Sequence, residues 1–147
     1  MGSGRLTAEV RDLFLGPNYA HVATLMLDGS PHTVPVWIDL DDHDRVVFYK
    51  EDGSVGLRNL KRDPRLAISI TAVQNPYRSA LVRGHVLELR GEPAACEWLT
   101  AQAVSYTGRP YPEPLPGPGT LVVVQADHVS HHDSAGMRHD PPARRPA

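Results

Sequence analysis

A chain of 147 residues with 41% hydrophobic and 22% charged residues describes one soluble globular domain. A net charge of −2 argues against bulk nucleic-acid binding, and Cys96, the one cysteine, excludes an intrachain disulfide and a cysteine-built zinc site. No apolar run approaches the roughly 20 residues of a membrane helix and nothing resembles a signal peptide, so the expectation is a cytoplasmic enzyme or binding protein with no membrane or nucleic-acid partner.

Leu6, Val10, Leu13 and Phe14 fall at helical spacing, with Thr7 as N-cap and Gly16-Pro17 as the stop. Residues 19–27 read as a first strand that closes at the turn Asp28-Gly29-Ser30-Pro31. Residues 32–40 read as a second, with Val34, Val36 and Ile38 alternating against Thr33, Pro35, Trp37 and Asp39. Pro35 has no N–H for a ladder, which points to an edge or a bulge. Residues 45–50 form a third strand, 66–73 a fourth, 79–89 a fifth and 120–126 a sixth. Gly84 within the fifth marks a bulge or bend. A second long helix opens at Pro93 and runs to about Tyr106, with Ala95, Leu99, Ala103 and Tyr106 as its buried stripe and Trp98 beside it. Pro110, Pro112, Pro114, Pro116 and Pro118 make the following loop extended and stiff. The domain is expected to span 1–130, with 131–147 a flexible tail; His131, His132 and His139 would then lack the fixed spacing of a metal site.

The most informative segment is Gly53-Ser54-Val55-Gly56-Leu57-Arg58-Asn59-Leu60-Lys61-Arg62-Asp63-Pro64-Arg65. It reads as a tight turn that opens a short helix and ends in a basic cluster. Free N–H groups and a partial positive charge suit a helix start to a phosphate. The same residues also fit a surface helix with a solvated basic face. No nucleophile or metal cage is evident elsewhere, so a bound cofactor would have to supply any chemistry. Six short strands with hairpin connections indicate a mainly β (α+β) antiparallel barrel with small helices.

The chain resembles the pyridoxamine-phosphate-oxidase-like split-barrel superfamily, and within it the F420-dependent (deazaflavin) oxidoreductases. Matching pieces occur in order: Ala23-Thr24-Leu25, Asp28-Gly29-Ser30-Pro31-His32, Val34-Pro35-Val36-Trp37, Arg58 through Arg65, Asn75-Pro76-Tyr77-Arg78, Val82-Arg83-Gly84 and Tyr106-Thr107-Gly108. The resemblance implies a six-stranded split β-barrel of the FMN-binding type and a homodimer with cofactor at the interface. The cofactor would be F420, with FMN as the alternative. Val34, Pro35, Val36 and Trp37 would line the ring, and Ser54, Val55, Arg58 and Asn59 would lie near the phosphate. Tyr77, Arg78 and Trp37 would shape the substrate pocket. Arg58, Lys61, Arg62 and Arg78 would form a groove for the oligoglutamate tail of F420. The implied reaction is hydride transfer to an electron-poor C=C or C=N bond of a small molecule; Tyr77, Tyr106, His32 or solvent would provide the proton.

One position departs from the family pattern. Relatives carry a lysine two residues after the serine equivalent to Ser54, and here Gly56 stands there. Either Lys50 supplies the missing charge, or Arg58 or Lys61 reaches back, or cofactor binding is lost. Lys50 is the favoured candidate. Trp37 also reads as an ordinary packed aromatic. A non-catalytic small-molecule binding protein is the reading from another functional class.

Overall fold

Local chemistry sets the element boundaries. In α1 (Ala8–Leu15) the Val10 N–H donates to the Thr7 hydroxyl at 3.4 Å, the cap that the sequence predicts. α2 (Val55–Arg62) starts the same way, with the Leu57 N–H donating to Ser54 Oγ at 3.4 Å. Gly53 supplies the left-handed φ of +82° in the turn that precedes it. α3 (Ala94–Thr107) ends at Gly108, again left-handed, in a common helix stop.

The computed structural model describes residues 4–134, 136–137 and 146. Its seven strands are β1 (Ala20–Leu25), β2 (Pro31–Val36), β3 (Ile38–Leu40), β4 (Val46–Glu51), β5 (Arg65–Ala72), β6 (Asn75–Arg90) and β7 (Gly119–Asp133). They form one antiparallel sheet in the order β2-β1-β5-β6-β7-β4-β3. Six strands were expected. The seventh arises because the segment 32–40 breaks at Trp37 into β2, which pairs with β1, and β3, which pairs with β4. β2 and β3 are the two edges of the sheet, yet one residue separates them. The sheet must therefore curl until its edges meet, which makes a split barrel. Pro35 lies on an edge strand, where its missing N–H costs no ladder bond.

Alternation fills the interior. Leu66, Ile68 and Ile70 of β5 point in while Arg65, Ser69 and Thr71 point out. Phe48, Val82, Val122 and Val124 meet them from the other strands, and Val10, Leu13 and Phe14 of α1 complete the same cluster. A smaller cluster forms where Ala95 of α3, with Trp98 partly buried, covers Val47, Leu121 and Val123.

β7 runs past the expected domain boundary at 130. Its pairing with β6 reaches Arg78↔Asp133 and Ser79↔His132, so His131 and His132 are strand residues rather than tail. His139 and most of the expected tail lie outside the described residues. Among the described residues, no His, Cys, Asp and Glu side chains group so as to hold a metal, and no helix is long and apolar enough to cross a membrane.

The ladder between β6 and β7 shifts register at Arg83/Gly84, the bulge that the glycine signalled. A Cβ on Gly84 would overlap the Gln125 carbonyl, which is backbone and cannot swing away. Gly84→Ala is therefore expected to cost about 1–3 kcal/mol, the range for overpacking. Urea unfolding checks this, and a midpoint equal to wild type would overturn it.

Candidate functional site

A groove of about 470 Å³ opens beside the break at Trp37. Its two ends differ in chemistry. At one end lie Lys50 and Glu51 at the close of β4, and Ser54 at the cap of α2. At the other, Trp37 is joined by Tyr19, Tyr49, Trp98 and Tyr111, with Pro35, Val36 and Leu99 between.

The polar end is organised by Gly56. A Cβ built there would sit 3.0 Å from Lys50 Cε and 3.3 Å from Lys50 Nζ. The bare glycine thus leaves the space through which the Lys50 side chain passes, and brings its ammonium beside the first turn of α2. Lys50 is half-buried, and its ammonium makes no hydrogen bond or ion pair among the described residues. Burial lowers its pKa, against a smaller upward pull from Glu51. A cation that is partly desolvated and unpaired, next to a helix N-terminus, is suited to an anion.

The aromatic end is held by Tyr106. Its ring stacks on Trp37 with centroids 5.3 Å apart and planes at 15°, and meets Tyr19 at 5.5 Å. The Tyr106 hydroxyl accepts from Ile38 N–H at 3.0 Å and lies 2.8 Å from the Asn18 carbonyl, to which it donates. Burial pushes its pKa up to about 12. This hydroxyl holds the seam together and does not line the groove, so it is not placed to protonate a product. His32 is also outside the lining; its Nδ1 is buried and has no partner among the described residues.

The other expected site residues divide by position. Pro35, Val36, Trp37, Lys50 and Ser54 line the groove together. Val34 pairs with Val22 on the inward side of β2, and Val55 is exposed on α2. Arg58 is exposed and its guanidinium donates to Gly53 O at 3.3 Å, so its charge stands beside the α2 entrance. Asn59 lies elsewhere than expected. It is buried, its amide donates to Thr24 Oγ1 at 3.0 Å, and its carbonyl oxygen accepts from Arg62 at 3.0 Å. Those bonds fasten α2 to β1 and leave Asn59 facing away from any phosphate at the helix start. Arg62 also donates to Leu25 O, and Arg65 pairs with Asp63 at 2.7 Å. Tyr77 and Arg78 sit at the β5–β6 hairpin, outside the groove lining, and Arg78 donates to Glu9 O at 3.1 Å.

Tyr19, Tyr49, Trp98, Leu99 and Tyr111 were not foreseen as site residues. Helix periodicity gave Trp98 and Leu99 a packing role, Tyr19 and Tyr49 read as strand residues, and Tyr111 fell in the proline-rich loop, whose path over β4 nothing local reveals. The Gly56–Lys50 match was visible as a missing charge with a spare one nearby, but the contact itself is tertiary.

The sequence profile described as pyridoxamine 5'-phosphate oxidase matches residues 6–133. A comparison with curated proteins returned no match. Among solved structures, one described as an F420 reductase is 29% identical, with a TM-score of 0.72 over 82% of this chain and 94% of that one. A conserved hypothetical protein from Mycobacterium tuberculosis has a TM-score of 0.75 at 22% identity, over 95% of this chain and 93% of that one. An FAD-binding protein from Mesorhizobium loti has a TM-score of 0.58 at 16% identity, over 86% and 94% of the two chains. With a profile match that spans most of its length, a split barrel and a groove at the seam, the chain belongs to the pyridoxamine 5'-phosphate oxidase family.

Proposed function

We propose that the groove binds the deazaflavin F420 and that the protein is an oxidoreductase acting on an electron-poor C=C or C=N bond of a small organic molecule. The observation that carries this reading is the fit between Gly56 and Lys50. It places one unpaired ammonium and one helix N-terminus at the same end of an otherwise aromatic groove. That donor set suits a phosphate joined to a planar ring. The structural neighbour described as an F420 reductase supports the deazaflavin over other flavins.

The bound cofactor supplies the hydride. The chain's own residues do the rest. Lys50 and the N–H groups at the start of α2 bind the phosphate. Pro35, Val36 and Trp37 present an edge strand and one aromatic face against the ring. Tyr19, Trp98 and Tyr111 narrow the remaining space. Arg58 stands beside the entrance of α2, and with the exposed Lys61 one turn further along the helix would meet an oligoglutamate tail. Three phenols, Tyr19, Tyr49 and Tyr111, line the groove, and burial with the neighbouring Glu51 pushes the pKa of Tyr49 up to about 12. The product proton is assigned to solvent rather than to one of them.

The working unit is proposed to be a homodimer. In one chain Tyr77 and Arg78 lie away from the groove, and a partner copy is the route by which that hairpin would reach it. Leu81, Leu87 and Leu89 are exposed along the same strand and fit such a contact. Sedimentation velocity is expected to give the mass of two chains.

Three titrations test the assignment. Intrinsic tryptophan fluorescence should report F420 binding with a micromolar or tighter Kd and much weaker FMN binding. The preference should shrink in high salt, since only F420 carries the anionic tail. The reverse preference would assign the groove to FMN, and binding without turnover of any acceptor would make it a carrier site.

Lys50→Met separates binding from folding. A charge-assisted phosphate contact is worth about 1.5–3 kcal/mol, so F420 affinity should fall about tenfold to a hundredfold. The thermal midpoint should stay level or rise, because a partly buried, unpaired cation is removed. The pH dependence has a defined sign. With a folded-state pKa below the ordinary 10.5, the unfolded chain binds more protons in the window between the two values. Wild type should therefore gain stability relative to Lys50→Met as pH rises through that window. Unchanged F420 affinity in Lys50→Met would remove Lys50 from the site.

A further inference from the structure

We propose that the proline-rich segment between α3 and β7 is a fixed end wall of the groove, and that Tyr111 on it determines how long a planar acceptor can be. This rests on the groove being a cofactor and acceptor site, but it concerns residues other than those proposed to hold the phosphate.

The segment is fastened at both ends and stiff between them. At its start, Thr107 Oγ1 lies 2.7 Å from the Ala103 carbonyl and accepts from Arg109 N–H at 3.1 Å. At its end, three groups of the barrel take hold within three residues. The Tyr49 hydroxyl donates to Gly117 O at 3.2 Å, the Asp52 N–H donates to Pro118 O at 3.0 Å, and the Gly119 N–H donates to Glu92 Oε1 at 2.9 Å. Glu92 is a clamp, since its other oxygen accepts from the Cys96 N–H at 3.1 Å in the first turn of α3. One carboxylate thus joins the helix that carries Trp98 to the strand end that follows the loop. A Cβ on Gly119 would overlap the Tyr49 ring, so that ring lies flat against the loop's exit. Between these anchors, prolines at 110, 112, 114 and 116 fix φ at every second residue. Such a chain has few alternative conformations.

Tyr111 is half-buried and follows the first of these prolines. Its ring meets Trp37 edge-on, with centroids 6.4 Å apart and planes at 76°. A ring standing nearly perpendicular to the indole would block a planar ligand that extends along it. The aromatic end holds no cationic side chain in its lining, so the ligand class is neutral, planar and conjugated. Both tryptophans of the chain, Trp37 and Trp98, line this groove, and their fluorescence reports its occupancy.

The experiment titrates the full-length protein with chromone and with the longer xanthone, both neutral planar ketones, and follows tryptophan quenching. Wild type, Tyr111→Ala and Tyr111→Phe are compared, and F420 binding is measured alongside for each. Tyr111→Ala is expected to tighten xanthone binding about tenfold while chromone moves less than threefold. Tyr111→Phe, which keeps the ring edge, should match wild type for both. A merely structural role would shift both ligands by the same factor, and that result would overturn the proposal, as would a Tyr111→Phe protein that behaves like Tyr111→Ala. If the xanthone preference moves as expected but no variant binds F420, the wall stands and the deazaflavin assignment fails.

Discussion

One residue lies between the two edges of the sheet, and the rest of the molecule follows from that constraint. Val36 ends β2 and Ile38 begins β3, at opposite ends of the strand order. Two trans peptide steps span about 7 Å at most, so an open, flat sheet of seven strands is geometrically impossible for this chain. Closure leaves a seam in which the backbone of Ile38 lacks a strand partner on one side. Tyr106 supplies one. Its hydroxyl accepts from the Ile38 N–H and donates to Asn18 O, while its ring stacks on Trp37. An unpaired edge is usually a liability; here it is covered by a helix on one side and becomes the floor of a groove on the other.

The polar end of that groove depends on a match between a helix and a strand. Position 56 on α2 is a glycine, and the Lys50 side chain from β4 lies where a Cβ would otherwise crowd it. The two residues make sense only together. A side chain at 56 would push Lys50 aside, and without Lys50 the glycine would leave a gap beside α2. Burial lowers the Lys50 pKa, so the arrangement carries a cost that an anion at the helix start would offset. A partly buried cation without a partner is the kind of stability cost found at residues kept for function.

The barrel was legible because its signals are local. Alternation in β5, the turn at Asp28-Gly29, the bulge at Gly84 and the caps at Thr7 and Ser54 each follow from a few neighbouring residues. The split at Trp37 was not legible, since a single extended run continues through it and only the pairing partners differ on the two sides. Asn59 was misplaced for a related reason. A polar residue beside Arg58 on a helix near a phosphate reads as a ligand, but the helix turns its side chain inward to Thr24, where it bonds α2 to β1. The end of β7 beyond 130 was read as polar tail because His131, His132 and Asp133 all face solvent; its partner, the long β6, is what orders it.

The two ends of the groove rest on different supports, and this has a consequence for how such a site can change. Lys50 and Ser54 are held by β4 and α2, elements that also build the barrel core through Phe48, Leu57 and Leu60. Trp98 and Tyr111 are carried by α3 and the loop after it, which touch the barrel mainly through the smaller cluster around Val47, Leu121 and Val123. Substitutions at the aromatic end thus disturb few core contacts, whereas those at the polar end disturb many. Such a division is expected when function lives in sites set on a shared fold. The lightly packed end is held by hydrogen bonds instead. Glu92 joins α3 to the start of β7 through two backbone N–H groups, and Tyr49 and Asp52 hold the loop's exit against the end of β4.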